Sequence, residues 1–461
     1  MSAQRMNAPD TMAPGATAAT RTRAMALSAG TGRAAKGQVA AGRIAKDVSA
    51  TDAAAIEAAP IDVDVLIIGG ALVGGTLACA LGRAGLRVAV VDMADPKVVM
   101  DARFDGRASA IALSSRRMLE RIGIWDEVSN SAAPMLDIRV SDSDSSLFLH
   151  YDHNAIGDEP FGHMVENTTL RRALLKTMDA LDCVRLLAPA KCVALERDGG
   201  RVRARLSGGE RISAQLAVAA DGRCSPMRKA AGIDIVTWRY DQAGIVCTVA
   251  HEEPHRYIAH EHFLPAGPFA ILPLLGNRSS LVWTERADLA PMIMALDDEA
   301  FAIELRRRFG DFLGRVDVVG PRWSYPLSLH FAESAIAERF ALVGDALHGM
   351  HPIAGQGLNM GFRDVAALAE VVTDTFRLGL DIGAPDVLER YQRWRRFDNM
   401  LMLALTDGLN RLFSNDIAPI RLARDLGLGA VNSIPPLKRF FMRHAMGLVG
   451  DLPRLLRGQP L

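Results

Sequence analysis

Neither sign of charge is in excess in this chain: Lys plus Arg number 53 and Asp plus Glu number 53. Binding a polyphosphate backbone calls for a surplus of positive charge, so a nucleic-acid partner has no electrostatic support. Cysteine is scarce, and the five present, Cys79, Cys183, Cys192, Cys224 and Cys247, form no C-x-x-C pair. That scatter excludes a disulfide framework and a thiolate zinc site, and it fits a reducing compartment. Cys79, on the apolar side of a helix, and Cys224, beside a turn, read as buried structural thiols, with a reactive thiol as the alternative. One uncharged run, LIIGGALVGGTLACALG from Leu66 to Gly82, reaches the lower length limit for a bilayer span. Its five glycines make it a poor one.

With 49% hydrophobic and 23% charged residues over 461 positions, the chain is an ordinary globular protein long enough for two or three domains. Residues 1–60 differ. They are rich in Ala, Gly, Ser and Thr, poor in large apolar residues, and dotted with Arg5, Arg21, Arg23, Arg33, Lys36, Arg43 and Lys46. They read as an extension without packed structure. The Arg-rich, acid-poor stretch up to Lys46 leaves a mitochondrial transit peptide as the alternative to a cytoplasmic protein.

The uncharged run gains its meaning from its neighbours. DVDVLII (Asp62–Ile68) before it and GLRVAVVD (Gly85–Asp92) after it are of strand length and strand composition. Strand, glycine turn, helix and strand make a βαβ unit with the dinucleotide fingerprint Gly69, Gly70, Ala71, Gly74 and a closing Asp92. Gly69 serves the tight turn, Gly74 the close packing of helix on strand, and the helix start offers free N–H groups to a pyrophosphate. Asp92 is placed to accept ribose hydroxyls. Ala71 stands where a middle glycine is usual, and its methyl is the smallest departure available, so binding is expected to survive.

Two further elements follow. LAVAADGRCSPMRKAAGI (Leu216–Ile233) ends a strand in Asp221 and Gly222 and continues to Ser225 and Arg228; by itself it reads equally as a turn. FALVGDALHGMHPIAGQGLNMGFRDVAALAEVV (Phe340–Val372) runs a strand into Gly344 and Asp345, then through His351, Pro352, Gly355, Gln356 and Gly357 into a helix from about Leu358 and Asn359. Such a helix start stabilises negative charge. His348 and His351 are three apart but have no third ligand at metal spacing, so no metal is expected. Their histidines read as packing or loop hydrogen bonding, with proton transfer by His351 as the alternative.

In this order, G-x-A-x-x-G with Asp92, then Asp221-Gly222-x-x-Ser225-x-x-Arg228, then Gly344-Asp345 with HPIAGQGLNMGFRD, the chain resembles the group A flavin monooxygenases, and most closely their ubiquinone-biosynthesis hydroxylases. The resemblance extends over about residues 62 to 460 and includes DGRASAIALSS, ILPL and LTDGLNRLF. It implies an α/β fold of the para-hydroxybenzoate hydroxylase type: a Rossmann-like FAD-binding domain, an inserted and mainly antiparallel substrate sheet, and C-terminal helices. The corresponding division is 61–235 with 336–384, then 236–335, then 385–461. The resemblance also implies one tightly bound FAD, with Gly69, Gly70, Ala71, Gly74 and Asp92 at its ADP part and Asp345 with Gly344 at the ribitol. Gly355, Gln356, Gly357, Leu358 and Asn359 fall near the ring, Arg107 and Arg171 make further contacts, and Asp221 and Gly222 serve structure and nicotinamide recognition. Pro352 and His351 would lie at the reacting face. NAD(P)H is the implied transient reductant, O₂ the co-substrate, and a polyprenylated phenol or quinol the substrate, hydroxylated through a flavin hydroperoxide.

Within the substrate region, Tyr257, His260, His262, Phe263, Trp283 and Trp323 read as core packing. The basic and apolar tail, RYQRWRRFDNMLMLAL and LKRFFMRHAMGLVG, reads either as a surface for a membrane or for other quinone-biosynthesis proteins, or as helices packed on the FAD domain with solvated Arg and Lys. Other readings stay open: a reductase of isoprenoids or a small-phenol hydroxylase in the same fold, and a non-catalytic FAD-fold subunit. A flavin halogenase is disfavoured, because no tryptophan begins a W-x-W-x-I-P run.

Overall fold

The computed structural model describes residues 59–102, 104–142, 148–414 and 418–461. The expectation for the N-terminal extension therefore falls almost wholly outside the described residues. Ile61–Ile68 sits in the middle of a sheet whose neighbours, Arg211–Ala219 and Val88–Val91, both run parallel to it. Phe340–Leu342 and Val184–Leu187 extend the parallel core outward, and Cys192–Asp198 with Arg201–Leu206 add an antiparallel pair. Val65 to Ile67 are fully buried, as a parallel strand covered on both faces requires.

The helix Leu72–Arg83 explains the missing charge of the opening run. It is buried continuously from Gly74 to Gly82, wedged between the helices Asn167–Asp179 and Gly357–Arg377. A helix covered on nearly every side reads as apolar all round, which by length alone mimics a membrane span. No helix among the described residues is long and apolar enough to cross a membrane.

The second sheet is built on two long antiparallel strands, Ile235–His251 and Val316–Ala332, followed outward by Arg278–Arg286, Gly267–Leu274 and Ile258–Leu264. One of its faces, with Ile245, Cys247, Phe269, Ile271, Leu281 and Trp283, packs under the helices Ala290–Met294 and Asp298–Phe309. The other joins an apolar cluster with Ala108, Ala110, Met164, Leu428 and Met442. This sheet does not stop at the limits drawn from sequence. Asp137–Asp142 pairs in parallel with Ile258–Leu264, and Phe148–Asp152 pairs with Asp137–Asp142, so strands from the assigned nucleotide segment complete the substrate sheet.

Two side chains depart from their expected burial. Cys224 is exposed, because the turn it occupies directs Ser225 inward to cap the short helix Pro226–Ala230 and leaves its neighbour outside. Trp323 is exposed as well, on a strand whose outer half leaves the core; its indole donates to the Asp105 carbonyl at 2.5 Å. Cys79 is buried, and burial pushes its thiol up to about 12.

The helix Pro385–Phe413 has its polarity inverted over its second half. Arg395, Asn399, Thr406 and Asn410 point inward, while Phe397, Met400, Leu401, Leu405, Leu409 and Leu412 face solvent, Phe397 with 76% of its surface exposed. The inward polar groups are satisfied: Arg395 meets Asp364 and Asn399, and Asn410 donates to Gln242 at 2.9 Å.

Candidate active site

Gly69 has φ +99°, in the left-handed region, and a Cβ there would collide with the Ala220 carbonyl. A Cβ at Gly74 would overlap the Gly69 carbonyl oxygen, so the turn closes only with glycine at both positions. Ala71 is the N-cap of the following helix, contributes no side-chain cap, and holds its methyl outward where it meets none of this packing. Asp92 braces the loop from below, accepting from the N–H of Gly70 at 2.6 Å and of Ala94 at 2.7 Å. Gly70, Ala71, Asp92 and Arg171 line one open cleft with Pro96, Leu174 and Leu186. An apolar floor with a carboxylate at its edge suits an adenosine. Arg107 is elsewhere: it pairs with Asp105 at 2.5 Å and lies over the Trp323 ring.

The third motif follows the sheet to its C-terminal edge. Gly344 and Asp345 follow the strand Phe340–Leu342 after Val343, and Asp345 is exposed. Arg228, almost wholly buried, donates to the Ala346 carbonyl at 2.7 Å, and the Ser225 hydroxyl accepts from the Arg228 N–H. The Asp221 motif thus bolts its own turn to the Gly344-Asp345 turn. Asp221 itself accepts from the Met227 N–H at 3.2 Å through one oxygen; the other, buried, has no hydrogen-bond partner among the described residues, and burial raises its pKa.

Pro352, Gly355 and Gln356 form the loop that enters the helix Gly357–Arg377, whose first turn carries no acidic residue and no side-chain cap. Its N–H groups are open to an anionic group. Asn359 does not face outward: its side chain accepts from the Ala112 N–H at 2.9 Å and donates to the carbonyls of Ala110 and Gly355. It clamps the loop to the strand Ala108–Ala112. His351 is fully buried, edge-on to Tyr240, and burial pushes it down to about 4, so the ring is neutral. Its Nδ1 accepts from Ile353, and Nε2 has no partner among the described residues.

His348 belongs to a network that sequence reasoning missed. Its Nε2 lies 2.7 Å from Asp364, which also accepts from Arg395 at 2.8 Å and from the Gly344 N–H at 3.0 Å, all in the interior. Burial alone would push the Asp364 carboxyl up, but His348 and Arg395 hold it below the usual carboxylate range. Asp398 joins Arg395 to Arg363, each at 2.6 Å. The signal was in print, since Arg363 and Asp364 close the HPIAGQGLNMGFRD run, but their partners lie about thirty residues on.

A family model described as an FAD binding domain matches residues 62–397. The ubiquinone hydroxylase UbiL of Rhodospirillum rubrum is 57% identical over 389 residues, covering 84% of this chain and 90% of that protein. The chain belongs to the FAD-dependent hydroxylases of ubiquinone biosynthesis. The 3-demethoxyubiquinol 3-hydroxylase of Escherichia coli is 35% identical over 374 residues, 81% of this chain and 95% of that protein. Among solved structures, the p-nitrophenol 4-monooxygenase PnpA of Pseudomonas putida superposes with a TM-score of 0.72 at 19% identity, covering 85% of this chain and 99% of its own, and so shares the fold. As a member of this family the chain is an FAD-dependent monooxygenase, and the turn, cleft and uncapped helix start described above fit that cofactor.

Proposed function

We propose that this hydroxylase adds oxygen to the aromatic ring of a polyprenylated phenol or quinol, with NAD(P)H as electron donor and O₂ as co-substrate. The observation that carries the reading is the pairing of a mostly apolar cleft bordered by Asp92 with an uncapped, acid-free helix start at Gly357, whose Asp364 holds the Gly344-Asp345 turn. When bound, FAD would supply the redox chemistry by which the hydride of NAD(P)H and one proton reduce O₂, one oxygen atom going to the electron-rich ring and the other to water.

The chain's own residues divide the remaining work. Gly69, Gly70, Ala71, Gly74, Asp92 and Arg171 hold the ADP portion, and Asp345 takes ribitol hydroxyls. The backbone of Gly355, Gln356, Gly357 and Leu358 offers N–H groups to the ring's developing negative charge. Asn359 holds that loop against its strand. Pro352 shapes the reacting face, and neutral His351 has Nε2 free for a hydrogen bond on the same side. The apolar cluster around Ala110 and Met164 keeps water away from the oxygen-transfer step.

A mass-spectrometric profile of quinone lipids tests the reading. Cells lacking the gene are expected to accumulate a prenylated intermediate one oxygen short, corrected by the normal copy and not by Asp345→Ala. An unchanged profile in cells with no second hydroxylase would overturn it.

The inverted helix supports a peripheral site of action. Its outward stripe from Phe397 to Leu412 is matched on the helix Pro435–Ala445 and the residue before it by exposed Ile434, Leu437, Phe440 and Phe441, and Arg393, Arg396, Arg439 and Arg443 are exposed on the same two segments. Apolar side chains accompanied by cations suit an anionic bilayer surface, where a polyprenyl tail resides. The protein is expected to float with vesicles containing an anionic lipid and to stay behind with neutral ones. Phe397→Ser with Phe440→Ser should abolish flotation while leaving flavin content unchanged.

A further inference from the structure

Side chains alternate along the strand Ile258–Leu264. His260 and His262 share one face: His262 meets the Ser141 hydroxyl at 2.7 Å, and the His260 ring lies 4.9 Å from that of Phe312. Ala259, Glu261 and Phe263 share the other, where Glu261 stands opposite Ala270 on one neighbouring strand and Val140 on the other. Ala259 and Phe263 are buried in the apolar cluster that includes Ala108 and Ala110. Ala110 is the residue whose carbonyl receives Asn359 and whose methyl abuts Gly355. The face that carries Glu261 therefore borders the same apolar cluster as the strand that abuts the flavin loop.

Glu261 is anomalous on that face. Its carboxyl is half-buried among apolar neighbours, and among the described residues nothing donates to it or pairs with it. Burial pushes it up to about 7. The charged groups nearest on the same face are Asp142, beyond Phe263, and Arg424, and these two pair with each other at 2.8 Å. Tyr151 faces the same cluster and is neutral, burial having pushed its phenol up. A carboxyl without a partner in an apolar wall works against folding, so packing gives no account of it. Among the described residues of this wall, Glu261 is the carboxyl without a partner that a phenol hydroxyl could donate to.

We propose that Glu261 is a catalytic residue that accepts the hydrogen bond of the substrate's ring hydroxyl, orienting the ring toward the flavin loop and enriching it in electrons for oxygen transfer. The inference rests on the phenol-hydroxylase reading above. The carboxylate is the stronger acceptor of the two protonation states, so affinity for the phenol rises with pH through about 7, where Glu261 loses its proton.

Titration of the FAD-loaded protein with a geranyl-substituted phenol, followed by the flavin difference spectrum from pH 5.5 to 8.5, reads this directly. Wild type is expected to tighten about tenfold or more across that range, as a hydrogen bond to a charged group allows. Glu261→Gln should bind weakly with no such dependence, and in turnover it should keep oxidising NAD(P)H while yielding less hydroxylated product, with Glu261→Asp partly restoring both. Glu261→Leu suits the apolar surroundings and guards against a folding artefact: at pH 8 it should melt no lower than wild type and yet bind the phenol as weakly as the Gln variant. Wild-type affinity and pH dependence in either the Gln or the Leu variant would overturn the proposal. A wild-type protein that hydroxylates the phenol while the Gln variant matches it would sink the Glu261 role alone. A wild-type protein that neither binds nor hydroxylates the phenol would sink the function reading, and the inference with it.

Discussion

Gly74→Ala is expected to yield a colourless protein. The added methyl would occupy the position of the Gly69 carbonyl oxygen and press on the Ala220 side chain, so the helix Leu72–Arg83 has to move away from the strand it packs on. Overpacking of this kind costs about 1–3 kcal/mol, and its relief by opening the turn dismantles the phosphate cradle, so FAD affinity should fall by about 10–100-fold. Flavin absorbance per mole of purified chain, and its recovery on adding FAD, measure the loss. Ala71→Gly in the same turn is the control: the Ala71 methyl faces outward, and flavin content is expected to match wild type. A yellow Gly74→Ala protein would mean that the turn tolerates a shape different from the one described.

Asp364→Asn is expected to be the most destabilising conservative change in the molecule. It removes the negative charge between His348 and Arg395 and leaves Arg395, buried along its length, with Asp398 as its remaining carboxylate partner among the described residues. Breaking a buried ion pair from one side costs about 3–5 kcal/mol, read as a lower denaturant midpoint at unchanged slope. The pH dependence has a definite sign. Because the folded-state pKa of Asp364 is depressed, its contribution is present above the ordinary carboxylate value of about 4 and is lost as pH falls through the depressed value. Wild type should therefore lose stability in that acid window, and the Asn variant should show the smaller loss. The same carboxylate accepts from the Gly344 N–H, so flavin retention should weaken in parallel.

The nucleotide half of the site was legible because its demands are local. A turn that closes only with glycine at positions 69 and 74, and a carboxylate at the next strand's end, fix residues within one βαβ unit. The ring half was legible as a motif but not as chemistry. Asn359 reads as one more loop residue until its three hydrogen bonds tie it to Ala110, Ala112 and Gly355. The Asp364–Arg395 pair stayed hidden because it joins the faces of two helices, and a helical repeat does not say which neighbour a face will meet. Periodicity was equally silent about partners for Asp137–Asp142, whose parallel pairing with Ile258–Leu264 moved it out of its assigned domain. Glu261 shows the same limit within one strand. Alternation separates it from His260 and His262, but only the tertiary arrangement turns its side to the apolar cluster.

The Asn359 clamp also sets a timetable. Its bond to the Ala112 N–H spans 247 residues. At 5–20 residues per second, a ribosome releases the strand Ala108–Ala112 about 12–50 s before the side chain that will hold it. During that interval a nascent chain displays the adenosine half-site with no ring half-site to complete it. Stable loading with FAD is thus a step that waits for synthesis of Asn359, and a message truncated ahead of Gly344 gives a product that holds no flavin however well its first βαβ unit folds.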